Sequence, residues 1–401
     1  MVVIKADIND RESAKYDKFD GHLPHELTLE ILLRLPAKSL LRFKLVSKSW
    51  NSLISRQDFK KSHTRNSKPQ PVTLLYNSYY MPVNSLSLSK SDSLNPTVLQ
   101  VNLSFHDGGK RYMCSELIGS CNGLICTYSE FEKCFYLRNP LTKETKEIYF
   151  PYHKSDTFLR IRSGGASWFG SVPSMNDYVI WVPVNRRVYL YSIRDDKWRE
   201  LDTSDIESFG SVHWGNNVVV MNETLHCLLD NYGRKFMVRY DLVQETFEVA
   251  RISFNYHNYA SMKFNTELSI GILQDSNSNL SICMSNIYYS RNNNRRWVMD
   301  VWKLEKYNKL DSWKKLFSLD LESSPDSPYC QFYSFLLGFT SNRGILVKSS
   351  LFYEDHTTNF NELFLFDLNQ NSLRRMQLGR VEDVSYMLDY VETLVSPFSL
   401  P

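Results

Sequence analysis

A unit of strand, polar turn and second strand recurs five times along this chain, and it limits the possible folds more than any other feature. The instances are residues 134–149 (CFYLRNPLTKETKEIY), 188–201 (VYLYSIRDDKWREL), 237–250 (MVRYDLVQETFEVA), 299–317 (MDVWKLEKYNKLDSWKKLF) and 363–377 (LFLFDLNQNSLRRMQ). Successive units are spaced by roughly 45–65 residues, the period of β-propeller blades, which cannot bury both faces alone and so stack in a ring. Residues 70–105 and a closing strand at 390–396 remain over at the two ends of this region. Paired with each other, they would make one more blade and remove exposed sheet edges. The expectation is an all-β domain, a propeller of about six blades closed by pairing of its two ends. A pair of packed sheets is the competing architecture.

Composition agrees with strands. Aromatic residues make up 14% of the chain, with 24 Tyr and 23 Phe, and such side chains favour pleated, half-buried surfaces. The net charge is only +3 with both signs mixed, which argues against a dedicated nucleic-acid binder. The apolar opening at Val2, Val3 and Ile4 stops at Lys5 and Asp7, short of a signal peptide, and no run reaches the length of a membrane helix. The seven cysteines are odd in number and form no CxxC pair, which favours a reducing compartment over a disulfide scaffold.

Residues 21–56 differ in character. Leu27, Ile31, Leu32 and Leu35 fall on one face of a first helix that begins after Leu23-Pro24 and stops at Pro36. A second helix, capped near Ser39, carries Leu40, Leu41, Phe43 and Leu45; a third, opened by Ser47 or Ser49, carries Trp50, Leu53 and Ile54. Three helices in about 35 residues cannot bury so many large apolar groups among themselves. Either they pack on the downstream domain or they keep an apolar face for a partner. The polar residues 1–20 read as a flexible lead.

The motifs of several common enzyme classes are missing. Gly108-Gly109-Lys110 lacks the remainder of a phosphate-binding loop, and GxSxG, HExxH and GxGxxG do not occur. Cys114, Cys121, Cys126 and Cys134 are spaced 7, 5 and 8 apart, which fits no standard zinc site, and the expectation is no metal. Trp198, Trp302 and Trp313 read as packing anchors, and Asp195, Asp196 and Asp241 as backbone caps in turns.

Residues 23–54 (LPHELTLEILLRLPAKSLLRFKLVSKSWNSLI) resemble an F-box. Downstream, GSCNGLIC at 119–126 and RNPLTKE at 138–144, with Trp302, Trp313 and Tyr390-Val391-Glu392, resemble the F-box-associated (F-box/kelch-repeat type) interaction domain of plant F-box proteins, among them the S-locus F-box group. The resemblance implies an F-box at 21–65 and a substrate-binding β-domain at 66–401. It implies the substrate-recognition subunit of a Skp–cullin–F-box ubiquitin ligase: a non-catalytic receptor without cofactor, cytoplasmic or nuclear. The partners would be a Skp-family adaptor, through it a cullin, and a target protein, with neither nucleic acid nor membrane. By position, Leu23, Pro24, Ile31, Leu32, Leu40, Val46 and Trp50 would face the adaptor, while Leu27, Leu35, Phe43, Leu53 and Ile54 would hold the helices together. Aromatic loops suit interface hot spots, which singles out Tyr256, Tyr259, Tyr329, Phe332 and Tyr333 for the target. The alternatives are an F-box scaffold or inhibitor working without the cullin, a propeller enzyme, or a small-molecule sensor.

Overall fold

Two prolines open the first two helices. Pro24 (φ −50°, ψ 145°) precedes α1 (His25–Leu33), and Pro36 (φ −58°, ψ 141°) precedes α2 (Ala37–Phe43). A proline holds φ near the helical value in advance, and its missing N–H would have no partner at a helix start anyway. The Pro36 carbonyl accepts from the Ser39 and Leu40 amides at 2.9 and 3.2 Å. The expected cap at Ser39 is therefore displaced to Pro36, and Ser39 lies inside the helix. α3 (Lys48–Ser55) is capped by Ser47, whose Oγ accepts from the Trp50 amide at 3.1 Å. A fourth helix follows, α4 (Gln57–Asn66), where three were expected.

The computed structural model describes residues 24–66, 72–76, 84–87, 97–100, 115–151, 166–184, 186–207, 209, 212–232, 234–252, 267–274, 280–290, 296–321, 331–339, 344–352, 359–367, 372–376 and 386–400. The expected flexible lead at 1–20 lies outside them. The chain divides into two compact units, Met1–Lys68 and Pro69–Pro401. In the first, Leu32, Ala37, Leu40, Leu53, Ile54 and Phe59 form the core. The buried His63 joins α4 to the end of α1, its Nε2–H donating to the Leu35 carbonyl at 2.7 Å. No helix among the described residues is long and apolar enough to cross a membrane.

The second unit holds six antiparallel four-stranded sheets among its described residues. Sheet 1 contains Val72–Tyr76, Asn84–Ser87, Thr97–Gln100 and the late strand Tyr386–Tyr390; sheet 2 contains Ser115–Cys121, Leu124–Ser129, Cys134–Arg138 and Thr145–Tyr149. Sheet 3 runs from Trp168–Val172 through Asp177–Val184 and Arg187–Ser192 to Lys197–Glu200. Sheet 4 comprises His213–Met221, Thr224–Asn231, Arg234–Asp241 and Thr246–Arg251. Sheet 5 comprises Glu267–Gln274, Leu280–Ser290, Arg296–Leu304 and Trp313–Leu321, and sheet 6 Gln331–Phe339, Gly344–Phe352, Asn359–Asp367 and Ser372–Met376.

Ser115–Cys121 lies against Trp168–Val172 on one side and Tyr386–Tyr390 on the other. Glu267–Gln274 likewise adjoins His213–Met221 and Gln331–Phe339. Sheets 2 and 3 enclose one apolar cluster around Tyr128, Phe135, Phe169 and Ile180; sheets 3 and 4 enclose a second around Trp181, Leu190, Leu225 and Tyr240. Because both faces are covered, inner strands such as Leu124–Ser129 and Cys134–Arg138 are buried at every position, whereas the outer strand Thr145–Tyr149 is not.

Two-residue turns with left-handed backbone join the first hairpins of sheets 2 and 4. Asn122 and Gly123 have φ 49° and 80°, and Asn222 and Glu223 have φ 53° and 55°; this hand of turn matches the twist of the strands. The closing strand is not at 390–396. Tyr386–Tyr390 pairs along its whole length with Val72–Tyr76, from Val72↔Tyr390 to Tyr76↔Tyr386. Residues 391–396 lie outside the sheet, where the Asn139 side chain takes the Thr393 and Val395 carbonyls and Thr393 Oγ1 donates to the backbone carbonyl of Asn122.

Candidate partner-binding surfaces

α1 has apolar residues on more than one side. Leu32 turns inward, while Leu27 (49% exposed) and Ile31 (48%) stand one turn apart on its outer face. The largest exposed apolar groups of the helical unit lie in the turn between α2 and α3: Leu45 is 89% and Val46 63% exposed. This turn is held from behind. The Leu45 and Val46 amides donate to the Arg42 and Phe43 carbonyls at 3.0 and 3.1 Å. Ser47 caps the next helix, and Phe43 meets Trp50 edge to face with ring centroids 5.6 Å apart. Exposed Leu and Val side chains forgo about 1.5–3 kcal/mol of burial energy each, so four of them on a small unit mark a surface for covering.

Of the residues expected to face an adaptor, Pro24, Ile31 and Val46 are exposed and Trp50 is half-buried. Leu32 and Leu40 are instead core residues with almost no exposed surface, and Leu23 lies outside the described residues. Of those expected to hold the helices together, Leu53 and Ile54 do so, Leu35 and Phe43 are half-buried, and Leu27 points outward. Leu45, which no sequence motif singled out, is the most exposed apolar side chain of this unit.

In the β-unit, Tyr256, Tyr259 and Tyr329 lie outside the described residues. Phe332 and Tyr333 fall not in a loop but in the strand Gln331–Phe339, opposite Leu351 and Ser350.

The two motifs GSCNGLIC and RNPLTKE turn out to bind the end of the described chain. Asn139 is fully buried, and its side chain makes four hydrogen bonds. Nδ2 donates to the Thr393 and Val395 carbonyls at 3.0 and 2.7 Å, and Oδ1 accepts from the Leu141 and Thr142 amides at 2.8 and 3.2 Å. Thr393 Oγ1 donates to the Asn122 carbonyl at 2.7 Å. A Cβ on Gly123 would come within 2.1 Å of that Oγ1, so only glycine lets the tail approach.

Trp198 packs on Phe135, Phe150 and Tyr191, and its Nε1 donates to the Tyr149 carbonyl at 2.9 Å, linking sheets 2 and 3. Asp241 caps its turn through the Val243 and Gln244 amides at 2.9 and 2.8 Å. Asp195 and Asp196 instead pair with Arg194 and Lys146. The capping role expected of them belongs to Asp177, which accepts from the Tyr178 and Arg194 amides at 2.7 and 2.9 Å. Among the described residues, no three or more His, Cys, Asp or Glu side chains come together as metal ligands. Burial pushes the thiols of Cys126, Cys134, Cys227 and Cys283 above their ordinary range, Cys283 to about 12, and such thiols are poor nucleophiles.

A small helical unit with an uncovered apolar face, ahead of a larger unit of stacked four-stranded sheets, defines a two-part binding protein. Residues 21–62 match the F-box domain, and residues 72–397 match the F-box associated beta propeller domain. The chain belongs to this F-box associated beta propeller family. F-box/kelch-repeat protein At3g23880 of Arabidopsis thaliana is 27% identical over 318 residues, covering 76% of this chain and 81% of that protein. A second F-box/kelch-repeat relative from Arabidopsis thaliana is 25% identical over 394 residues, covering 93% of this chain and 98% of its own. Among solved structures, a chain of a nidogen/laminin complex superposes at a TM-score of 0.41 with 9% identity, over 81% of this chain and 100% of that one.

Proposed function

We propose that this chain is the substrate-recognition subunit of a Skp–cullin–F-box ubiquitin ligase. The observation that carries the reading is the outward set Leu27, Ile31, Leu45 and Val46 on the unit that matches the F-box. In this reading the F-box spans 21–65 and docks on a Skp-family adaptor through Pro24, Ile31, Val46 and the edge of Trp50, joined by Leu27 and Leu45. The adaptor brings the cullin. The β-domain, 66–401, holds a target protein, with the segments around Tyr256, Tyr259, Tyr329, Phe332 and Tyr333 as its contacts. The chain supplies no catalytic group; it raises the local concentration of target at the ligase. It works in the cytoplasm, the nucleus or both.

The test is co-purification of the full chain with a plant Skp-type adaptor. Wild type retains the adaptor, and Ile31→Asp with Val46→Asp releases it while the melting profile stays unchanged, since both residues are exposed. Adaptor retention by the double variant would remove this face from the reading.

A further inference from the structure

The two ends of the stacked sheets differ. In an antiparallel four-stranded sheet the first and third turns fall at one end and the second at the other. In sheets 2, 3 and 4 the end with the first and third turns is tied from sheet to sheet. The Ser174 amide donates to Glu223 at 2.7 Å, Lys146 pairs with Asp196 at 2.7 Å, Arg199 pairs with Glu245, and Asn139 holds the tail. The opposite end carries the second turns, and large apolar side chains stand in solvent there. Phe131 in the second turn of sheet 2 is 92% exposed, and Tyr232 in that of sheet 4 is 83% exposed.

Sheet 2 adds charge to this end. Its second turn is fixed in place: the Glu132 amide donates to Ser129 Oγ at 3.3 Å, and the Phe150 amide donates to the Lys133 carbonyl at 3.1 Å. Cys134 lies opposite Tyr149 and Tyr136 opposite Glu147, so these four share one face of the sheet, away from the buried Phe135 and Ile148. Tyr149, 66% exposed, donates to Glu147 at 2.9 Å, and Tyr136 donates to Glu132. Both carboxylates act on the same groups. Burial first, and then Glu132 and Glu147, push up the Tyr136 phenol and the Cys134 thiol, the thiol to about 11. The bond to Glu147 first, and the charge of Glu132 as well, raise the Tyr149 phenol.

Glu130 is paired with Lys133, but neither Glu132 nor Glu147 has an ion-pair partner among the described residues. Two like charges around the same phenols repel each other, and a cation brought between them relieves that repulsion. The exposed Tyr149 ring offers the same cation a π face. Phe131 stands beside this acidic face as an apolar contact that has no charge of its own to desolvate.

We propose that the tip of sheet 2, formed by Phe131, Glu132, Glu147 and Tyr149, is a docking surface for a segment of the target protein that carries a Lys or Arg next to an apolar residue. The inference rests on the target-binding reading above and adds the chemistry of the target segment. The carboxylates and Tyr149 select the cation; Phe131 covers its apolar neighbour.

The experiment uses immobilised full-length chain and pools of short degenerate peptides whose two central positions are fixed as Arg-Leu, Arg-Ser or Glu-Leu. Wild type retains the Arg-Leu pool about fivefold or more over each of the others. Glu132→Gln with Glu147→Gln removes the preference for Arg over Glu and leaves melting unchanged, since glutamine still accepts from the two phenols. Phe131→Ser removes the preference for Leu over Ser. Asp205→Asn with Glu392→Gln, the same charge change at two exposed carboxylates elsewhere in the β-unit, leaves all three pools within about twofold of wild type.

Equal retention of the three pools by wild type, or a preference for Arg that survives Glu132→Gln with Glu147→Gln, overturns this surface while the ligase reading stands on adaptor binding. Selective Arg-Leu retention by a chain that fails to co-purify the adaptor supports the surface and removes the ligase reading. Calorimetric binding of Ca²⁺ alone, lost on Glu132→Gln with Glu147→Gln, overturns the proposal by assigning the carboxylates to a metal.

Discussion

Asn139 and Val395 are 256 positions apart in the chain and 2.7 Å apart in the fold, where the Asn139 side-chain amide donates to the Val395 carbonyl. With its bond to the Thr393 carbonyl and the two amides held on Oδ1, this one side chain uses its full hydrogen-bonding capacity without water. The Asn-Pro turn of sheet 2 is thereby a clasp for residues 391–396.

Asn139→Ala removes all four bonds and leaves buried carbonyls without a donor, so urea denaturation should show a loss of about 3 kcal/mol. Asn139→Asp keeps the two bonds to Leu141 and Thr142 but sets a carboxylate against two carbonyl oxygens. It should destabilise at least as much. A loss under about 1 kcal/mol for both would mean that the tail is held elsewhere.

Gly123→Ala places a methyl group on a left-handed backbone and into Thr393 Oγ1. The expected cost is roughly 2–3 kcal/mol. Adding Thr393→Gly removes the contact with Oγ1 while the Val391 carbonyl at 2.9 Å remains, so part of the steric cost should be recovered and the double variant should melt above the sum of the two single losses. Strict additivity would place the clash somewhere other than this contact.

His226 is fully buried beside the Tyr307 ring, with centroids 5.4 Å apart. Burial first, and the nearby Arg239 charge second, lower its pKa from 6.5 to about 4. The fold thus favours neutral imidazole. This contribution is fully present above the unfolded value near 6.5 and is lost as pH falls toward 4, about 3 kcal/mol in all. Comparing wild type with His226→Leu by denaturation at pH 7 and pH 4.5 isolates it: the gap should shift in favour of the leucine variant at the lower pH. A pH-independent gap would show that the ring charges without cost.

Leu32→Ala and Leu40→Ala remove core side chains of the helical unit and should each destabilise it by about 2–5 kcal/mol. Val46→Ala and Leu45→Ala, both at exposed positions, should leave its melting within about 0.5 kcal/mol of wild type. Circular dichroism at the helical wavelengths on full-length protein separates the pairs. Equal melting across all four would contradict the inward position of Leu32 and Leu40.

Much of the β-unit was legible because strand pattern and turn chemistry are local. The unit at 188–201, for example, contains the two strands Arg187–Ser192 and Lys197–Glu200 almost to the residue. The errors arise where a distant partner decides. Residues 391–395 (VETLV) carry β-branched residues and read as a strand, but Asn139 takes two of their carbonyls and Thr393 Oγ1 turns to the Asn122 carbonyl. The neighbouring segment Tyr386–Tyr390 pairs instead.

α4 was missed because its sequence, QDFKKSHTRN, offers only Phe59 as a large apolar side chain; its other buried residues are Lys60 and His63. Which apolar residues of α1 are exposed was only partly legible. Ile31 and Leu32 are adjacent and both apolar, and only the fold shows that Leu32 turns inward while Ile31 stays exposed. Leu45 went unremarked as a surface group because it continues the apolar pattern of α2, which in fact ends at Phe43.

The pairing of Val72–Tyr76 with Tyr386–Tyr390 also orders events during protein synthesis. The helical residues leave the ribosome first and need no later segment for the contacts described among them. The first β-strand must wait for about 310 further residues, which at 5–20 residues per second takes roughly 15 to 60 s. During that interval its edge is open to wrong partners. A message truncated before codon 386 would yield a chain that carries every helical residue but lacks the strand that pairs with Val72–Tyr76, and so leaves one edge of sheet 1 without its partner.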